Sequence, residues 1–277
     1  MPIAPPLPAA LYAGAEAFQR ERRSIFASAW LMLARADQVR EPGQYIAQSL
    51  GGWPIFAIVD ESGRQSGFRN VCRHQGLPIF DTGSGRCAEI RCRYHGWSYD
   101  ASGCFRGAPP QSAPADAADP LHNLQRIATA AVCGQLFVHL GEATGAPALP
   151  ALAAADVERF AFSGESVSDI DANWKLVVEA MLRTAPSAGS RAFEWPTLVA
   201  DTMPDAAIVH QIIPRAFQRT RIQHHRYGAA EAPEIAAVRE AAVAAQAALT
   251  QAKEVPPDEN AAVAAFRERI RRAHSAN

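Results

Sequence analysis

The stretch NVCRHQGLPIFDTGSGRCAEIRCRYHGWSY, from Asn70 to Tyr99, contains two short motifs that each combine a cysteine with a histidine. One residue separates Cys72 from His74, and two residues separate Cys92 from His95. Thiolates and imidazoles are soft or borderline ligands, so two of each on neighbouring loops predict a metal site. These four residues are therefore the candidate metal ligands of the chain.

Zinc and an iron–sulfur cluster are the two kinds of centre that this ligand set allows. A structural zinc site usually places about two to four residues between paired ligands, and the spacing of Cys72 and His74 is shorter. A Rieske 2Fe-2S cluster binds two cysteines on one iron and two histidines on the other, so each loop supplies one ligand to each iron. Gly76 and Gly96 would let the backbone approach such a cluster. The pattern favours the 2Fe-2S cluster, and zinc is the alternative.

The whole stretch resembles the Rieske domain of ring-hydroxylating oxygenase large subunits, whose motifs read Asn-x-Cys-x-His-Arg-Gly and Cys-Pro-Tyr-His-Gly-Trp-x-Tyr. The matching residues are Asn70, Cys72, His74, Gly76, Cys92, Tyr94, His95, Gly96, Trp97 and Tyr99. The chain departs from the motifs at Gln75, where the family has arginine, and at Arg93, where it has proline. The resemblance implies that the cysteines hold the iron that stays ferric and the histidines hold the iron that is reduced.

The composition excludes several other classes of protein. The chain has 277 residues, 27 basic and 28 acidic side chains, and a formal net charge of -1. This balance gives no field that would attract nucleic acid or an anionic membrane. Five cysteines are too few for a disulfide scaffold, and Cys87, Cys104 and Cys133 are expected to be small buried side chains. The segment MPIAPPLPAALYAG has no cationic residue ahead of its apolar ones, and a soluble, cytoplasmic protein is expected.

The sequence pattern and the resemblance together predict an α+β fold in three parts. Residues 1–29 are an N-terminal extended segment and helix. Residues 30–142 are an all-β Rieske domain built of short strands between Gly and Pro turns. Residues 155–277 are a shortened, degenerate version of the helix-grip-like catalytic domain of the oxygenases. In this last part we expect a helix from near Ala172, a hairpin around residues 215–218, and helices at 233–253 and 258–273, the second capped by Asp258.

The resemblance also implies a mononuclear iron in the second domain, held by two histidines and a carboxylate. The family pattern begins on a helix with Asn-Trp-Lys and a Glu-Asn pair, and residues 173–179 (NWKLVVE) match this start. The later positions do not match: Ala180, Arg183, Pro186, Arg191 and Val238 stand at the positions of the asparagine, an acidic residue, the two histidines and the carboxylate. Proline and valine offer no ligand atom, and arginine does not deprotonate in proteins. A mononuclear iron is therefore not expected in this chain.

An alternative iron site could be built from the predicted hairpin, which carries His210, His224 and His225 and follows Asp201 and Asp205. A hairpin centred near residues 216–217 would place His210 opposite Gln223 and His224 opposite Val209. Adjacent residues of a strand point to opposite faces, so His224 and His225 cannot both bind one metal ion. Hydrogen-bonded or surface histidines are the expected outcome.

These observations predict an oxygenase subunit that carries electrons and has no catalytic residues of its own. It would relay them from a reductase or ferredoxin to a mononuclear iron in a partner subunit of a trimer-based hetero-oligomer. The reaction would be the O2-dependent hydroxylation or demethylation of an organic substrate. Two alternatives stay open: a self-sufficient oxygenase with an atypical iron site, and a non-catalytic electron-transfer or assembly protein. No nucleic-acid or membrane partner is expected.

Overall fold

A computed structural model describes residues 6–143, 145–184, 186, 189–231, 235–249 and 252–275. In chain order the strands are β1 (Leu7–Pro8), β2 (Leu31–Arg35), β3 (Gln44–Leu50), β4 (Trp53–Val59), β5 (Gln65–Arg69), β6 (Gly83–Arg86), β7 (Ile90–Arg91), β8 (Ser98–Tyr99), β9 (Phe105–Gly107), β10 (Arg126–Val132), β11 (Gln135–His139), β12 (Phe162–Ile170), β13 (Ser190–Glu194), β14 (Leu198–Thr202), β15 (Ala206–Ala216), β16 (Arg219–Gly228) and β17 (Glu254–Val255). The helices are α1 (Ala10–Ala13), α2 (Ala15–Glu21), α3 (Pro150–Ala155), α4 (Trp174–Arg183), α5 (Ala236–Ala248) and α6 (Ala261–Ser275).

The chain folds into two compact units, one comprising Met1–Ala29 with Ala148–Asn277 and the other Trp30–Pro147. The second of these is built of β-sheet. A seven-stranded sheet has the order β2-β11-β10-β5-β4-β3-β6, and a three-stranded sheet has the order β7-β8-β9. Strand β4 (WPIFAIV) is a run of apolar residues that is buried from Ile55 to Val59, as a central strand requires. The candidate ligands Cys72 and Cys92 belong to the same buried cluster as Phe56, Phe68 and Tyr99.

The other unit is a five-stranded antiparallel sheet, ordered β12-β16-β15-β14-β13, with helices packed against it. Helix α4 contacts β15 and β16 as well as α5 and α6. It begins where expected, because the Asn173 side chain accepts a hydrogen bond from the Lys175 N–H at 3.0 Å and so caps the first turn. The α+β class predicted from the sequence is confirmed by this arrangement.

Two buried carboxylates attach the N-terminal residues to these helices. Glu21 accepts a hydrogen bond from the Lys175 ammonium at 2.6 Å, and both side chains are fully buried. Glu179 accepts a hydrogen bond from the Tyr12 hydroxyl at 2.6 Å and is held by the Arg267 guanidinium at 2.8 and 3.0 Å. Removing one partner of such a pair would leave an uncompensated buried charge, which destabilises the fold strongly. These pairs therefore fix helix α4 from both ends of the chain.

Three local expectations were wrong. The β15–β16 hairpin pairs His210 with His224 and Val209 with His225, one residue away from the predicted register. The turn is formed by Phe217 and Gln218, one residue later than predicted, which alone would shift the pairing by two residues. The irregularity between Pro214 and Ala216 reverses one residue of this shift.

Helix α6 is capped by Asn260 rather than Asp258: the Asn260 side chain accepts the N–H groups of Ala262 and Val263 at 2.9 and 3.2 Å. The three remaining cysteines are not the small buried side chains expected, because Cys104 is exposed and Cys87 and Cys133 are only half-buried. The predicted start of α5 at Pro233 lies outside the described residues. In the part of the chain that the structure describes, no helix combines the length and apolar character needed to cross a membrane.

Candidate metal centre

Two loops of the β-rich unit carry the four candidate ligands, and both loops fold in the same way. Each begins with a cysteine whose carbonyl accepts a hydrogen bond from a glycine N–H four residues later. The same cysteine donates its own N–H to the carbonyl five residues later. The distances are 2.9 and 2.8 Å in both loops, with Gly76 and Leu77 as partners of Cys72 and Gly96 and Trp97 as partners of Cys92. The two glycines have φ of +75° and +72°, a conformation that L side chains rarely adopt.

These turns bring the four side chains together. The imidazole rings of His74 and His95 lie edge to face, with centroids 4.7 Å apart and an interplanar angle of 83°. The Cys72 thiol lies close to that of Cys92, and burial raises the pKa of Cys72, to which the neighbouring Cys92 also contributes. Both cysteines are buried whereas both histidines are half-buried. The thiols therefore lie inside the unit and the imidazoles towards its surface.

One buried atom of this group has no hydrogen-bond partner among the described residues. His74 Nδ1 is buried and makes no hydrogen bond to any described residue. A buried polar atom without a partner costs free energy, and an iron ion bound to it would remove that cost. Each iron of a 2Fe-2S cluster takes only two protein ligands, so the four residues need not meet at one point. Consistent with this, no three His, Cys, Asp or Glu side chains among the described residues are grouped to hold a single ion.

A tyrosine and a backbone amide extend the site on the cysteine side. The Tyr99 hydroxyl oxygen accepts the Arg73 N–H at 3.2 Å and lies 3.3 Å from the Cys72 sulfur. Burial and the neighbouring Cys72 raise the pKa of Tyr99, so the phenol keeps its proton. Since its oxygen already accepts the amide, the hydroxyl donates to the sulfur. The sequence motif contains Tyr99 but does not reveal this contact.

The two departures from the family motif are both on the surface. Gln75 is exposed, and so is Arg93, whose guanidinium forms two hydrogen bonds to the Asp81 carboxylate at 2.5 and 2.9 Å. The Asp81 pair raises the pKa of Arg93. Asp81 follows the first ligand loop and Arg93 belongs to the second, so this ion pair links the two loops. Exposed ion pairs contribute little stability, and the link adds orientation more than free energy.

In the other unit, the residues at the expected iron positions offer no ligand atoms. Pro186 is half-buried and Val238 is buried on helix α5. The Arg191 guanidinium makes two hydrogen bonds of 2.6 Å to Asp201. It also donates to the carbonyls of Met181 and Thr184, at 2.8 and 2.6 Å, at the end of helix α4. A positive charge thus lies at this position, fully engaged by its neighbours.

The histidines of the hairpin form a hydrogen-bonded chain. His210 Nε2 lies 3.0 Å from Asp201 Oδ2, and His210 Nδ1 lies 2.7 Å from His224 Nδ1. His224 Nε2 is 3.1 Å from the Ser168 hydroxyl. The ring nitrogens bond to one another in succession, so they do not converge on a point where a metal ion could bind. His225 lies on the opposite face of β16, and Asp205 is exposed in the turn before β15. Neither residue is therefore part of this hydrogen-bonded chain.

Burial and the Arg191 guanidinium set the charges of the side chains in this hydrogen-bonded chain. Burial lowers the pKa of His210 and lowers the pKa of His224 to about 3, so both imidazoles are neutral at pH 7. Hydrogen bonds from Arg191 and His210 outweigh the effect of burial on Asp201 and lower its pKa to about 2. With Asp201 ionised and His210 neutral, His210 Nε2–H donates to Asp201. His210 Nδ1 therefore accepts from His224, and His224 Nε2 accepts from Ser168.

Comparison with known proteins places this geometry in a class. Residues 29–129 match the model of the Rieske [2Fe-2S] domain. The glycine betaine monooxygenase oxygenase subunit of Chromohalobacter salexigens is 31% identical over 183 residues, which cover 62% of this chain and 40% of that protein. The benzene 1,2-dioxygenase subunit alpha of Pseudomonas putida is 33% identical over 99 residues, which cover 36% of this chain and 22% of that protein. The chain thus spans less than half the length of these relatives.

Solved structures show that the similarity in fold extends over most of the chain. The apo form of the quaternary ammonium Rieske monooxygenase CntA superposes with a TM-score of 0.79 at 18% identity, covering 97% of this chain and 95% of that one. Naphthalene 1,2-dioxygenase superposes with a TM-score of 0.62 at 15% identity, covering 87% and 75%. The fold and the four-ligand site define a Rieske iron–sulfur protein. Outside this domain the chain is similar in sequence to oxygenase subunits of Rieske oxygenases and similar to them in fold.

Proposed function

We propose that this chain is an electron-carrying subunit of a Rieske oxygenase, with a 2Fe-2S cluster on Cys72, His74, Cys92 and His95 and no mononuclear iron of its own. Residues 30–142 are the cluster domain, and residues 155–277 are a degenerate form of the catalytic domain. The subunit receives electrons from a reductase or ferredoxin. It passes them to a mononuclear iron in a partner subunit, where an organic substrate is hydroxylated or demethylated with O2.

The arrangement of the four ligands supports the electron-carrying role. A bound 2Fe-2S cluster supplies one-electron transfer. The protein surrounds the cysteines with apolar side chains and leaves the imidazoles half-buried, so the histidine side is the one from which electrons can enter and leave over a short distance. The exposed residues Arg73, Arg93 and Tyr94 lie beside the ligands on this surface.

The observation that carries the proposal is the guanidinium of Arg191 at a position where the family has an iron ligand. Arg191 cannot give up its proton, and its positive charge repels a metal dication. Asp201, the buried carboxylate beside it, is already occupied by Arg191 and His210. Rebuilding a metal site here would require breaking this ion pair in the interior, which is unfavourable.

Iron content and assembly test the proposal. The chain is produced alone and together with an iron-bearing Rieske oxygenase subunit from the same source, and each preparation is characterised by iron analysis and native mass spectrometry. We expect about two irons per copy of this chain, a hetero-oligomer on co-expression, and turnover only with the partner present. About three irons per chain, or turnover by this chain and a reductase alone, would show that it is a self-sufficient oxygenase. A hetero-oligomer without turnover would identify it as an assembly protein.

A further inference from the structure

Residues 108–123, here called the covering segment, contact both ligand loops. The Pro/Ala/Asp composition of residues 108–120 predicts a surface loop. In the structure the covering segment makes two short helical turns, Pro110–Ser112 and Pro120–His122. The first turn contacts the loop of Cys92 and His95, and the second contacts the loop of Cys72 and His74.

Ser112 makes two hydrogen bonds to the second ligand loop. Its hydroxyl donates to the backbone carbonyl of His95 at 2.9 Å, and its own carbonyl accepts the indole N–H of Trp97 at 2.7 Å. Pro109 packs on the same loop so closely that a Cβ atom at Gly96 would lie 2.8 Å from the Pro109 ring. The Ser112 hydroxyl thus fixes the backbone carbonyl of His95.

Trp97 transmits this contact to the other imidazole. Its ring is stacked on that of His74, with centroids 5.1 Å apart and planes 14° apart. His122 of the covering segment packs edge-on against the indole, at 5.2 Å and 89°. Trp97 is buried, and Phe105 packs against it at 4.6 Å, so the indole cannot turn without disturbing several neighbours. Ser112 therefore acts on His95 through the backbone and on His74 through the indole.

The other end of the covering segment holds the first ligand loop. The Leu121 carbonyl accepts a hydrogen bond from the Arg73 side chain at 3.0 Å, and Arg73 lies between Cys72 and His74 in the sequence. A polypeptide segment fixed to both loops limits how far they can move apart. Groups that contact metal ligands from outside in this way set the orientation of the ligand rings.

We propose that Ser112 is a positioning residue for both imidazole ligands and, with Trp97, fixes their orientation at the cluster. This deepens the proposed function, because it rests on the assignment of His74 and His95 as ligands. Loss of the serine hydroxyl leaves the His95 backbone free to shift, and loss of the indole N–H frees the ring that stacks on His74. Either change spreads the imidazoles over several orientations and weakens their hold on iron.

The test uses the full chain with its cluster and two readouts. The variants are Ser112→Ala, Ser112→Thr, which keeps the hydroxyl, and Trp97→Phe, which keeps a ring to stack but has no N–H. Ser62→Ala is the matched control, since the Ser62 hydroxyl also donates a hydrogen bond within a tight turn of this unit, to Asp60 between β4 and β5. The readouts are the line widths in the electron paramagnetic resonance spectrum of the reduced cluster and the rate at which a chelator removes iron.

We expect broader lines and release of iron about tenfold faster in Ser112→Ala and Trp97→Phe, with Ser112→Thr and Ser62→Ala close to the unchanged protein. Identical spectra and release rates in Ser112→Ala and Ser62→Ala would overturn the proposal, and so would equal broadening in Ser112→Ala and Ser112→Thr. If Ser112→Ala assembles no cluster, unchanged line widths in Trp97→Phe would overturn it. These two readouts do not depend on whether the co-expressed subunit restores turnover. A chain that binds no iron at all would overturn both this proposal and the assignment of the four ligands.

Discussion

The molecule contains two pairs of neighbouring imidazoles with nearly the same geometry and different chemical surroundings. The rings of His74 and His95 are 4.7 Å apart at 83°, and those of His210 and His224 are 5.0 Å apart at 85°. In the described part of the chain His74 Nδ1 has no hydrogen-bond partner, whereas all four ring nitrogens of His210 and His224 have one. Two adjacent histidines therefore indicate a metal site only when a lone pair is left over for the metal.

The second difference is the charge beside each pair. Cys72 and Cys92 accompany the first pair, and as thiolates they would offset the charge of two irons. Arg191 accompanies the second pair through Asp201 and brings a positive charge instead. The distances between the rings are similar in the two places, but two thiolates would give the first a net negative charge, whereas the charges of Asp201 and Arg191 cancel at the second. This comparison leads to the following four predictions.

The largest effect is expected from removing one thiolate. Cys92→Ala should abolish the cluster, because one iron then keeps a single cysteine ligand. The absorbance of the purified protein and its iron content should fall to background. Cys104→Ser is the control, since Cys104 is exposed and free, and it should keep full iron content. A Cys92→Ala protein with its iron intact would contradict the ligand assignment.

Breaking the ion pair beside the second imidazole pair should cost stability and leave iron content unchanged. Asp201→Asn removes the charge that compensates Arg191, whose side chain is 13% exposed. A buried charge left without its partner destabilises by about 3 kcal/mol, measured as a lower free energy of unfolding in urea. Asp169→Asn, which breaks an exposed pair with Arg221, should cost about 1 kcal/mol or less. Equal effects of the two substitutions would contradict the buried role of Asp201.

The pH dependence of stability tests the neutral state of His210 and His224. The folded pKa of His224 is about 3, below its usual value near 6.5, so its contribution to stability is complete above about pH 6.5. As the pH falls from about 6.5 towards about 3, the unfolded chain binds a proton that the folded chain does not, and stability decreases by about 1.4 kcal/mol per pH unit for this group.

In His224→Gln this loss should disappear. The slope of the unfolding free energy against pH, between about pH 6 and pH 4, should therefore be smaller in the variant than in the unchanged protein. The variant is expected to be less stable at pH 7, so the slope rather than the absolute value is compared. An unchanged slope would mean that His224 is already protonated in the folded chain.

The smallest effect is expected at Tyr99. Tyr99→Phe removes the hydroxyl that donates to the Cys72 sulfur at 3.3 Å. Hydrogen bonds to the sulfurs favour the reduced cluster, so the midpoint potential should fall, on the order of 50 mV for a bond worth about 1 kcal/mol. Redox titration followed by electron paramagnetic resonance measures it. A potential that rises or stays constant would show that the hydroxyl does not donate to this sulfur.

The sequence predicted well those features that depend on neighbouring residues. Cys72 and His74 lie in one turn and Cys92 and His95 in another, so the motifs alone place each pair. The predicted start of a helix near Ala172 agrees with α4, which Asn173 caps. It predicted poorly those features that depend on distant partners. Arg267 is buried against Glu179, which lies 88 residues away in the sequence, and no local pattern indicates this contact.

The same limit applies to both imidazole pairs. Asp201, His210 and His224 could be named from the sequence. The later position of the turn and the irregularity at Pro214–Ala216 together decide that His210 faces His224 rather than Gln223. A shift of one residue exchanges the two faces of a strand, so a small error in register changed the expected chemistry. Near the cluster, nothing in the composition of residues 108–123 indicated that Ser112 would contact His95.

The attachment of the N-terminal residues to helices α4 and α6 has a consequence for the order in which the protein can form during translation. The Trp30–Pro147 unit is continuous in sequence and can fold as soon as it leaves the ribosome. Leu7 pairs with Val255, and Glu21 is bonded to His274, 253 residues later. Residues 7–26 are synthesised before this unit but complete their contacts only with residues that follow it. Until then the aromatic rings of Tyr12 and Phe26 lack their final partners, which leaves this segment of the nascent chain vulnerable to aggregation.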